Sequence, residues 1–385
     1  MQFNDNSVIM KRYLYSHIKA DLLKKMIFIT GPRQVGKTYL AKQIMKEYHK
    51  PIYLNYDNSD DALVIQKRQW PLSADLVVFD EIHKMKKWKM FLKGTFDTKP
   101  PHMAILVTGS ARLDTFRQTG DSLAGRYFHY RLHPLTVKEA CEKEAVARDV
   151  LDRLMIVGGF PEPYLARDVQ DIERWRNQYY TDLVREDIVD FSRIHEVRAI
   201  RMLLELLRSR VGSPLSYRAL GEDLQIAPNT VRKYVAILES LYIIFLVRPF
   251  HRNIARAITK EPKVYFFDSG CVKGDDGIRF ENTVAVSLLK NAHYHCDASG
   301  KLQELHYLRD KESREIDFVV ARDGRIQEAI EVKLSDSTPS KNLHYFKQKY
   351  PNIHYTQLVL NLPQAREING IRVEPAAKWL MNLAV

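Results

Sequence analysis

The chain has 385 residues, 45% of them hydrophobic and 28% charged, a composition that excludes disordered and fibrous classes. This length exceeds what one hydrophobic core usually supports, so we expect two or three domains. No apolar run approaches the ~20 residues that span a bilayer, and the N-terminal segment lacks the apolar stretch of a secretory signal. We therefore expect no membrane partner.

The formal net charge of +12 predicts a polyanionic partner, because phosphate contacts supply most of the affinity for nucleic acid. A basic but inert surface of solvated lysines explains the same charge equally well. The three cysteines, Cys141, Cys271 and Cys296, are odd in number and lack CxxC spacing. This pattern disfavours a disulfide framework or a zinc knuckle and indicates a cytoplasmic protein.

The first segment alternates short apolar runs with helical stretches. Residues 26–30 read as a strand, and a glycine and a helix over 38–48 follow it. Further short strands are predicted over residues 52–55, 75–80, 103–108 and 127–132. Short apolar strands that alternate with helices predict a parallel, doubly wound sheet.

Residues 31–38 read GPRQVGKT and fit the phosphate-loop pattern G-x-x-x-x-G-K-[ST] between a strand and a helix. Glycines allow backbone N–H groups to turn toward phosphate oxygens, and the helix N-terminus adds its positive dipole. Lys37 would neutralise the β- and γ-phosphates, and the Thr38 hydroxyl would contact Mg²⁺. We expect ATP and Mg²⁺ as cofactors, with nucleotide bound by Gly31, Pro32, Arg33, Gln34, Val35, Gly36, Lys37 and Thr38.

A second nucleotide signal is the apolar strand that ends in Asp80 and Glu81, within DLVVFDEIH. Asp80 would hold Mg²⁺ through water, and Glu81 would polarise the attacking water. The extra strand over residues 52–55 separates the two motifs. It favours an ATPase with a catalytic glutamate over a phosphotransferase or a GTPase.

Two further positions are candidates for the same reaction. Thr108 and Ser110, in TGSAR, follow the next strand and can reach the γ-phosphate; Ser110 is the preferred one. Arg126, just before the last strand, can stabilise transition-state charge on a neighbouring subunit's nucleotide, which predicts a homo-oligomer. The alternative is a surface arginine in a turn.

Residues 216–241 have helix-turn-helix spacing, with Leu220 and Leu224 on one face of the first helix. Val231, Val235 and Leu238 form the inner face of the second helix. Asn229 or Thr230 would cap the second helix. The side chains that would then face a DNA major groove are Asn229, Thr230, Arg232 and Lys233. The alternative is a winged-helix element that only packs or contacts another subunit.

The C-terminal part returns to strands, with a helix predicted over residues 280–290. Glu281 at the start of that helix, Asp317 in EIDFVV, and Glu331 and Lys333 in IEVK resemble the PD-(D/E)xK nuclease core. Asp317 and Glu331 would hold Mg²⁺, and Lys333 shares a strand face with Glu331. The same E-x-K spacing at residues 261–263 falls in a predicted turn where nothing suggests catalysis.

Three interpretations of this site stay open. They are active phosphodiester cleavage by Glu281, Asp317, Glu331 and Lys333, a nuclease fold without activity used for binding or assembly, and a surface ion pair between strands.

The order of these motifs resembles a set of prokaryotic AAA+ ATPases whose C-terminal domain has no known function. The motifs that carry the resemblance are GPRQVGKT, DLVVFDEIH, ILVTGSAR, SLAGR, HPLTVKEA, GGFPEP, YTDLVREDI, PNTVRKYVAILE, PKVYFFDSG, FENTVAVSLL and EIDFVV with IEVK. The resemblance implies an AAA+ core, a helical lid, a winged-helix element and a nuclease-like fold.

We therefore predict an α/β protein: a P-loop AAA+ ATPase core over residues 1–135, a helical lid and linker over 136–210, a winged helix-turn-helix element over 211–260, and a restriction-endonuclease-like α/β domain over 261–385. The predicted function is Mg²⁺-dependent ATP hydrolysis coupled to DNA binding, with nuclease activity as a further expectation. The alternative is a nucleotide-switched scaffold whose nuclease-like domain is inactive and binds protein or nucleic acid.

Overall fold

The computed structural model describes residues 10–109, 123–183, 194–251 and 260–385. The chain divides into two compact units. Unit 1 comprises Met1–Gly31 and Gly36–Leu132, and unit 2 comprises Pro32–Val35 and His133–Val385. No helix in the described ranges is both long enough and apolar enough to cross a membrane.

Unit 1 is built on a five-stranded sheet. Its elements are α1 (Tyr15–Asp21), β1 (Met26–Thr30), α2 (Lys37–Met45), β2 (Pro51–Asn55), α3 (Ser59–Lys67), β3 (Leu76–Asp80), α4 (Trp88–Thr98), β4 (Ala104–Thr108) and β5 (Tyr127–Arg131). The strand order is β2-β3-β4-β1-β5, and all pairs are parallel. The predicted parallel sheet is therefore confirmed. Every residue of β1, β3 and β4 is buried, because helices cover both faces.

Strand β2 follows the helix after the phosphate loop, but it is not the neighbour of β1, because β3 and β4 lie between the two strands. This insertion aligns the carboxyl ends of β1, β4 and β3 along one sheet edge. The helix after the loop is shorter than predicted, since α2 begins at Lys37 and ends at Met45 rather than spanning 38–48. Gly36, in the left-handed region at φ 97°, starts it.

Unit 2 begins with helices and continues into a larger sheet. Its helices are α5 (Val137–Ala140), α6 (Ala147–Val157), α7 (Pro161–Leu165), α8 (Val169–Asp182), α9 (Ile194–Arg208), α10 (Tyr217–Leu224), α11 (Pro228–Ser240), α12 (Asp276–Ser299), α13 (Lys341–Lys349) and α14 (Ala376–Met381). Its strands are β6 (Ile244–Pro249), β7 (Lys263–Phe266), β8 (Gln303–Arg309), β9 (Glu315–Arg322), β10 (Arg325–Lys333), β11 (His354–Val359), β12 (Arg366–Ile368) and β13 (Ile371–Pro375).

The eight strands form one sheet in the order β12-β13-β11-β10-β9-β8-β6-β7. Strands β8, β9 and β10 are antiparallel neighbours, while β11 runs parallel to β10. The antiparallel pair β6–β7 joins this sheet through β8. Strand β6 thus belongs to the same sheet as the strands after residue 260.

Helices α10 and α11 are joined by residues 225–227, two residues earlier than the predicted turn over residues 227–229, because the second helix already begins at Pro228. Leu220, Val231, Val235 and Leu238 are buried as predicted, whereas Leu224 is half-buried. The predicted cap is wrong: Ala227 is the N-cap residue and makes no side-chain bond. Pro228 occupies the first helical position, where its missing N–H costs nothing, so Asn229 and Thr230 lie inside the helix.

Helix α12 is much longer than the predicted 280–290 segment. The Asp275 side chain accepts a hydrogen bond from the Ile278 N–H and starts the helix, and Gly300 in the left-handed region ends it. Glu281 consequently lies in the second turn of α12 rather than at its first residue.

Candidate functional site

The phosphate loop connects β1 to α2 through a backbone that needs glycine at its start. Gly31 has φ 138°, and a Cβ atom there would lie 2.2 Å from the Leu132 carbonyl oxygen. Any side chain at Gly31 would therefore displace the backbone beside β5. The start of the loop is therefore held close to the end of that strand.

Lys37 is the first residue of α2 and is buried. Its Nζ donates a hydrogen bond to the Gly31 carbonyl oxygen at 3.0 Å. The loop's own backbone therefore orients the ammonium. A phosphate oxygen would form a stronger, charge-assisted bond to the same group.

Asp80 ends β3 and accepts hydrogen bonds from hydroxyl groups on α2, β2 and β4. Thr38 Oγ1 donates to Oδ2 at 3.0 Å, Tyr53 Oη donates to Oδ2 at 2.5 Å, and Thr108 Oγ1 donates to Oδ1 at 2.6 Å. Carboxylate and hydroxyl oxygens are ligands that Mg²⁺ prefers. The pairing of Thr38 with Asp80 therefore fits the predicted Mg²⁺ site.

Tyr53 is a residue that the sequence did not single out. Its hydroxyl contacts Asp80 from the neighbouring strand, and burial followed by the Asp80 hydrogen bond raises the pKa of Tyr53 above its usual value. The phenol stays protonated and keeps donating. Its only signal in the sequence was a hydroxyl-bearing side chain near the end of an apolar strand.

Glu81 follows Asp80 in the left-handed backbone region, at φ 55°. Its N–H points to the Thr108 carbonyl oxygen and to Asp80 Oδ1, both at 3.1 Å. Burial, followed by the negative charge of Asp80, raises the pKa of Glu81 above that of an ordinary glutamate. A more basic carboxylate is better suited to accept a proton from water near neutral pH.

Thr108 and Ser110 were the two residues predicted to reach the γ-phosphate from the end of β4. Ser110, the preferred residue, lies outside the described residues. Thr108 contacts Asp80 and so positions that carboxylate.

Arg126 precedes β5 and lies at the amino edge of the sheet, because Tyr127 is opposite Met26 at the start of β1. The phosphate loop follows the carboxyl end of β1. Arg126 Nε and Nη2 donate to the two carboxylate oxygens of Asp97 at 2.8 and 3.1 Å. A role for Arg126 on a neighbouring subunit's nucleotide, and the homo-oligomer that it requires, stay predictions.

In unit 2 the predicted DNA-contacting residues share the outer side of α11. Asn229, Arg232 and Lys233 are exposed and Thr230 is half-buried. The Arg232 guanidinium lies 5.1 Å from the centre of the Tyr217 ring. The structure thus brings the four residues together on one helix.

The four residues predicted for the C-terminal site also converge, in unit 2. Asp317 Oδ2 accepts the Val332 N–H at 2.9 Å, and Lys333 Nζ lies 2.9 Å from Glu331 Oε1. Glu281 accepts a hydrogen bond from the Tyr265 hydroxyl at 2.6 Å. Burial, followed by the charge of Asp317, raises the pKa of Glu331 to about 8 and that of Glu281 to about 7.

Lys263 was missed by the sequence reasoning. It does not lie in an uninvolved turn but begins β7, with 1% of its surface exposed. Its Nζ lies 2.6 Å from Glu315, 3.6 Å from Glu281 and 3.8 Å from Asp317. The available signal was the pair Glu315 and Asp317, which share one face of β9.

With the Lys263 amine between them, the carboxylates of this region do not form a metal-binding arrangement in the structure. Within the described ranges, no group of three or more His, Cys, Asp or Glu side chains is placed to hold a metal ion. The predicted metal roles of Asp317 and Glu331 therefore stay predictions.

Comparison with known proteins places the phosphate loop in a recognised type of domain. Residues 23–141 match a family model described as AAA domain. Residues 148–274 and 276–374 match models described as domains of unknown function, DUF8612 and DUF4143. Residues 23–141, which include the phosphate loop, are therefore similar to P-loop domains of the AAA type, and this similarity supports an ATPase.

Two relatives described as uncharacterized proteins are similar over most of the chain. One from Mycobacterium tuberculosis is 27% identical over 323 residues, covering 82% of this chain and 71% of the relative. One from Methanocaldococcus jannaschii is 22% identical over 375 residues, covering 88% of this chain and 81% of the relative.

Solved structures align with this chain at lower sequence identity than these relatives. A Walker-type ATPase of Pyrococcus abyssi aligns with a TM-score of 0.46 at 14% identity, covering 69% of this chain and 95% of that one. A variant of Thermotoga maritima RuvB aligns with a TM-score of 0.30 at 18% identity, covering 60% and 86%. At these TM-scores the alignments add nothing to the assignment, which rests on the AAA family match and the site geometry.

Proposed function

We propose that the chain is a Mg²⁺-dependent ATP hydrolase whose site is formed by Lys37, Thr38, Asp80 and Glu81. The observation that carries the proposal is the 3.0 Å contact between Thr38 of the phosphate loop and Asp80 at the end of β3. Two motifs 42 residues apart in the chain meet at one sheet edge, with Glu81 next to them. This combination favours hydrolysis over transfer of the phosphoryl group to a second substrate.

Each residue has a separate role in this reaction. Lys37 and the loop N–H groups bind the phosphates and offset their charge. Thr38 and Asp80 would hold Mg²⁺, which neutralises charge on the phosphate oxygens. Thr108 and Tyr53 fix the Asp80 carboxylate. Glu81 accepts the proton of the attacking water, helped by its raised pKa.

Lys37→Ala tests this proposal in an assay of phosphate release from ATP. Because the ammonium is the only loop side chain proposed to offset phosphate charge, we expect the rate at subsaturating ATP to fall at least ~100-fold. EDTA should abolish the wild-type rate. Lys46→Ala, at the exposed C-terminal end of α2, is the matched control and should retain wild-type activity. Wild-type turnover by Lys37→Ala would refute the assigned site.

A second function, DNA binding, is favoured by the exposed side chains of α11. We propose that α10, α11 and the antiparallel strands β6 and β7 form a winged-helix element that places α11 in the major groove. Arg232 and Lys233 would meet phosphates or base edges, while the buried Val231 and Val235 anchor the helix. The chain's net charge of +12 supports a polyanionic partner.

The double variant Arg232→Glu/Lys233→Glu tests this second proposal. Fluorescence anisotropy with a labelled DNA duplex at low salt should show binding weakened at least ~10-fold. The slope of the logarithm of the binding constant against the logarithm of salt concentration should become less steep by about 2. Lys301→Glu/Lys311→Glu makes the same charge change at two exposed lysines elsewhere in unit 2 and serves as control. Equal loss in both variants would mean that charge alone, and not α11, decides binding.

For the C-terminal sheet, we propose the alternative to cleavage: a nuclease-like fold that binds protein or nucleic acid while ATP controls assembly. The supporting observation is that each predicted metal ligand has a lysine amine nearby. Lys263 lies 3.8 Å from Asp317, and Lys333 lies 2.9 Å from Glu331.

A further inference from the structure

The buried amine of Lys263 occupies the middle of an acidic cluster built from three elements of unit 2. We call Lys263, Glu281, Glu315 and Asp317 the Lys263 cluster. Lys263 comes from β7, Glu281 from the second turn of α12, and Glu315 and Asp317 from the same face of β9. Ion-pair contacts of 2.6 to 3.8 Å join the amine to all three carboxylates.

The surroundings keep Lys263 charged. Three carboxylates within 2.6 to 3.8 Å of the Lys263 amine offset the cost of burying its positive charge. The carboxylates are more open than the lysine, with 18% to 23% of their side-chain surface exposed against 2%. The positive charge is therefore the innermost part of the cluster.

A divalent cation fits this arrangement poorly. To share Asp317 and Glu281, the ion would have to bind beside an ammonium that already contacts both, and like charges at such distances repel strongly. The other predicted ligand, Glu331, is paired with Lys333 at 2.9 Å. The negative charges of the predicted Mg²⁺ ligands, Asp317 and Glu331, are thus largely offset by the amines of Lys263 and Lys333.

We propose that Lys263 is the resident cation of this cluster: its ammonium takes the place that a divalent metal ion has in a metal-dependent nuclease. The carboxylates then serve to hold β7, α12 and β9 together, and no metal-activated water forms there. This inference concerns unit 2 and does not depend on ATP hydrolysis by unit 1.

Mn²⁺ titration of the full chain by calorimetry tests the inference. All proteins carry Asp80→Asn and contain no nucleotide, so that the proposed site in unit 1 contributes no binding. We expect no stoichiometric Mn²⁺ binding by this parent. Adding Lys263→Met removes the ammonium and leaves three carboxylates facing one space, so one Mn²⁺ should bind at least tenfold more tightly than to the parent. Adding Asp317→Asn as well should abolish the new site.

The control is Lys311→Met in the same parent, which removes an exposed lysine and should behave like the parent. Stoichiometric Mn²⁺ binding by the parent that Asp317→Asn removes would overturn the inference. So would a folded Lys263→Met variant that gains no Mn²⁺ site. If Lys263→Met does not fold, the inference is tested on the Asp80→Asn parent alone. Absence of stoichiometric Mn²⁺ binding by that protein supports the inference, and Mn²⁺ binding that depends on Asp317 overturns it.

Discussion

Glu81→Gln is expected to lower the turnover number for ATP at least ~100-fold while changing ATP affinity only a few-fold. Glutamine keeps the size of the side chain but cannot accept a proton from water. The Lys37–Gly31 and Thr38–Asp80 hydrogen bonds do not involve the Glu81 side chain, so the substitution should leave them in place. Phosphate-release kinetics give the turnover number, and binding of a fluorescent ATP analogue gives the affinity.

The pH dependence separates a base from a residue that merely shapes the site. Because burial and Asp80 raise the pKa of Glu81, the carboxylate protonates at a higher pH than an ordinary glutamate as the solution is acidified. As the pH is lowered, the wild-type turnover number should therefore begin to fall at a higher pH than an unperturbed carboxylate would give. The residual rate of Glu81→Gln should not show this pH-dependent decrease.

The matched control is Glu47→Gln, which makes the same change at an exposed glutamate just after α2. It should retain the wild-type rate and pH profile. Retention of wild-type turnover by Glu81→Gln would exclude Glu81 as the base, and loss of ATP affinity in that variant would assign Glu81 a structural role.

The nucleotide site was predictable because its signals are local. The strand, the glycine loop and the helix that begins at Lys37 follow one another within 20 residues of sequence, and Asp80 with Glu81 directly follow an apolar strand. Parallel strands place their carboxyl ends at one edge, so the meeting of Thr38 with Asp80 could be inferred without knowing the strand order.

The Lys263 cluster was not predictable in this way because it depends on contacts between distant segments. Residues 263 and 315 meet only because β7 and β9 belong to one sheet and α12 lies against it. The E-x-K spacing at 261–263 looked uninvolved since no local pattern shows where a lysine at a strand start will point. Tyr53 was missed for a similar reason: its partner Asp80 lies on the adjacent strand.

Lys290→Met is expected to reduce the free energy of unfolding of unit 2 by about 3–5 kcal/mol, the usual cost of removing one partner of a buried ion pair. Lys290 on α12 is fully buried, and its Nζ lies 2.6 Å from Glu139 Oε2, whose side chain is 2% exposed. The same amine contacts Thr136 and the Pro134 carbonyl oxygen at 3.2 and 3.3 Å. Without it, the buried Glu139 carboxylate loses its contact with this ammonium. Urea unfolding followed by circular dichroism measures the change.

A second substitution distinguishes the lost ion pair from lost packing. Glu139→Gln in the Lys290→Met background replaces the buried carboxylate by a neutral amide. It should recover a large part of the stability, because keeping a buried charge after one ion-pair partner is removed costs more than lacking the pair. Lys341→Met, at an exposed lysine on α13, should leave the unfolding midpoint within about 0.5 kcal/mol of wild type. If the double variant were no more stable than Lys290→Met, packing of the lysine stem, and not its charge, would hold α12 against residues 134–139.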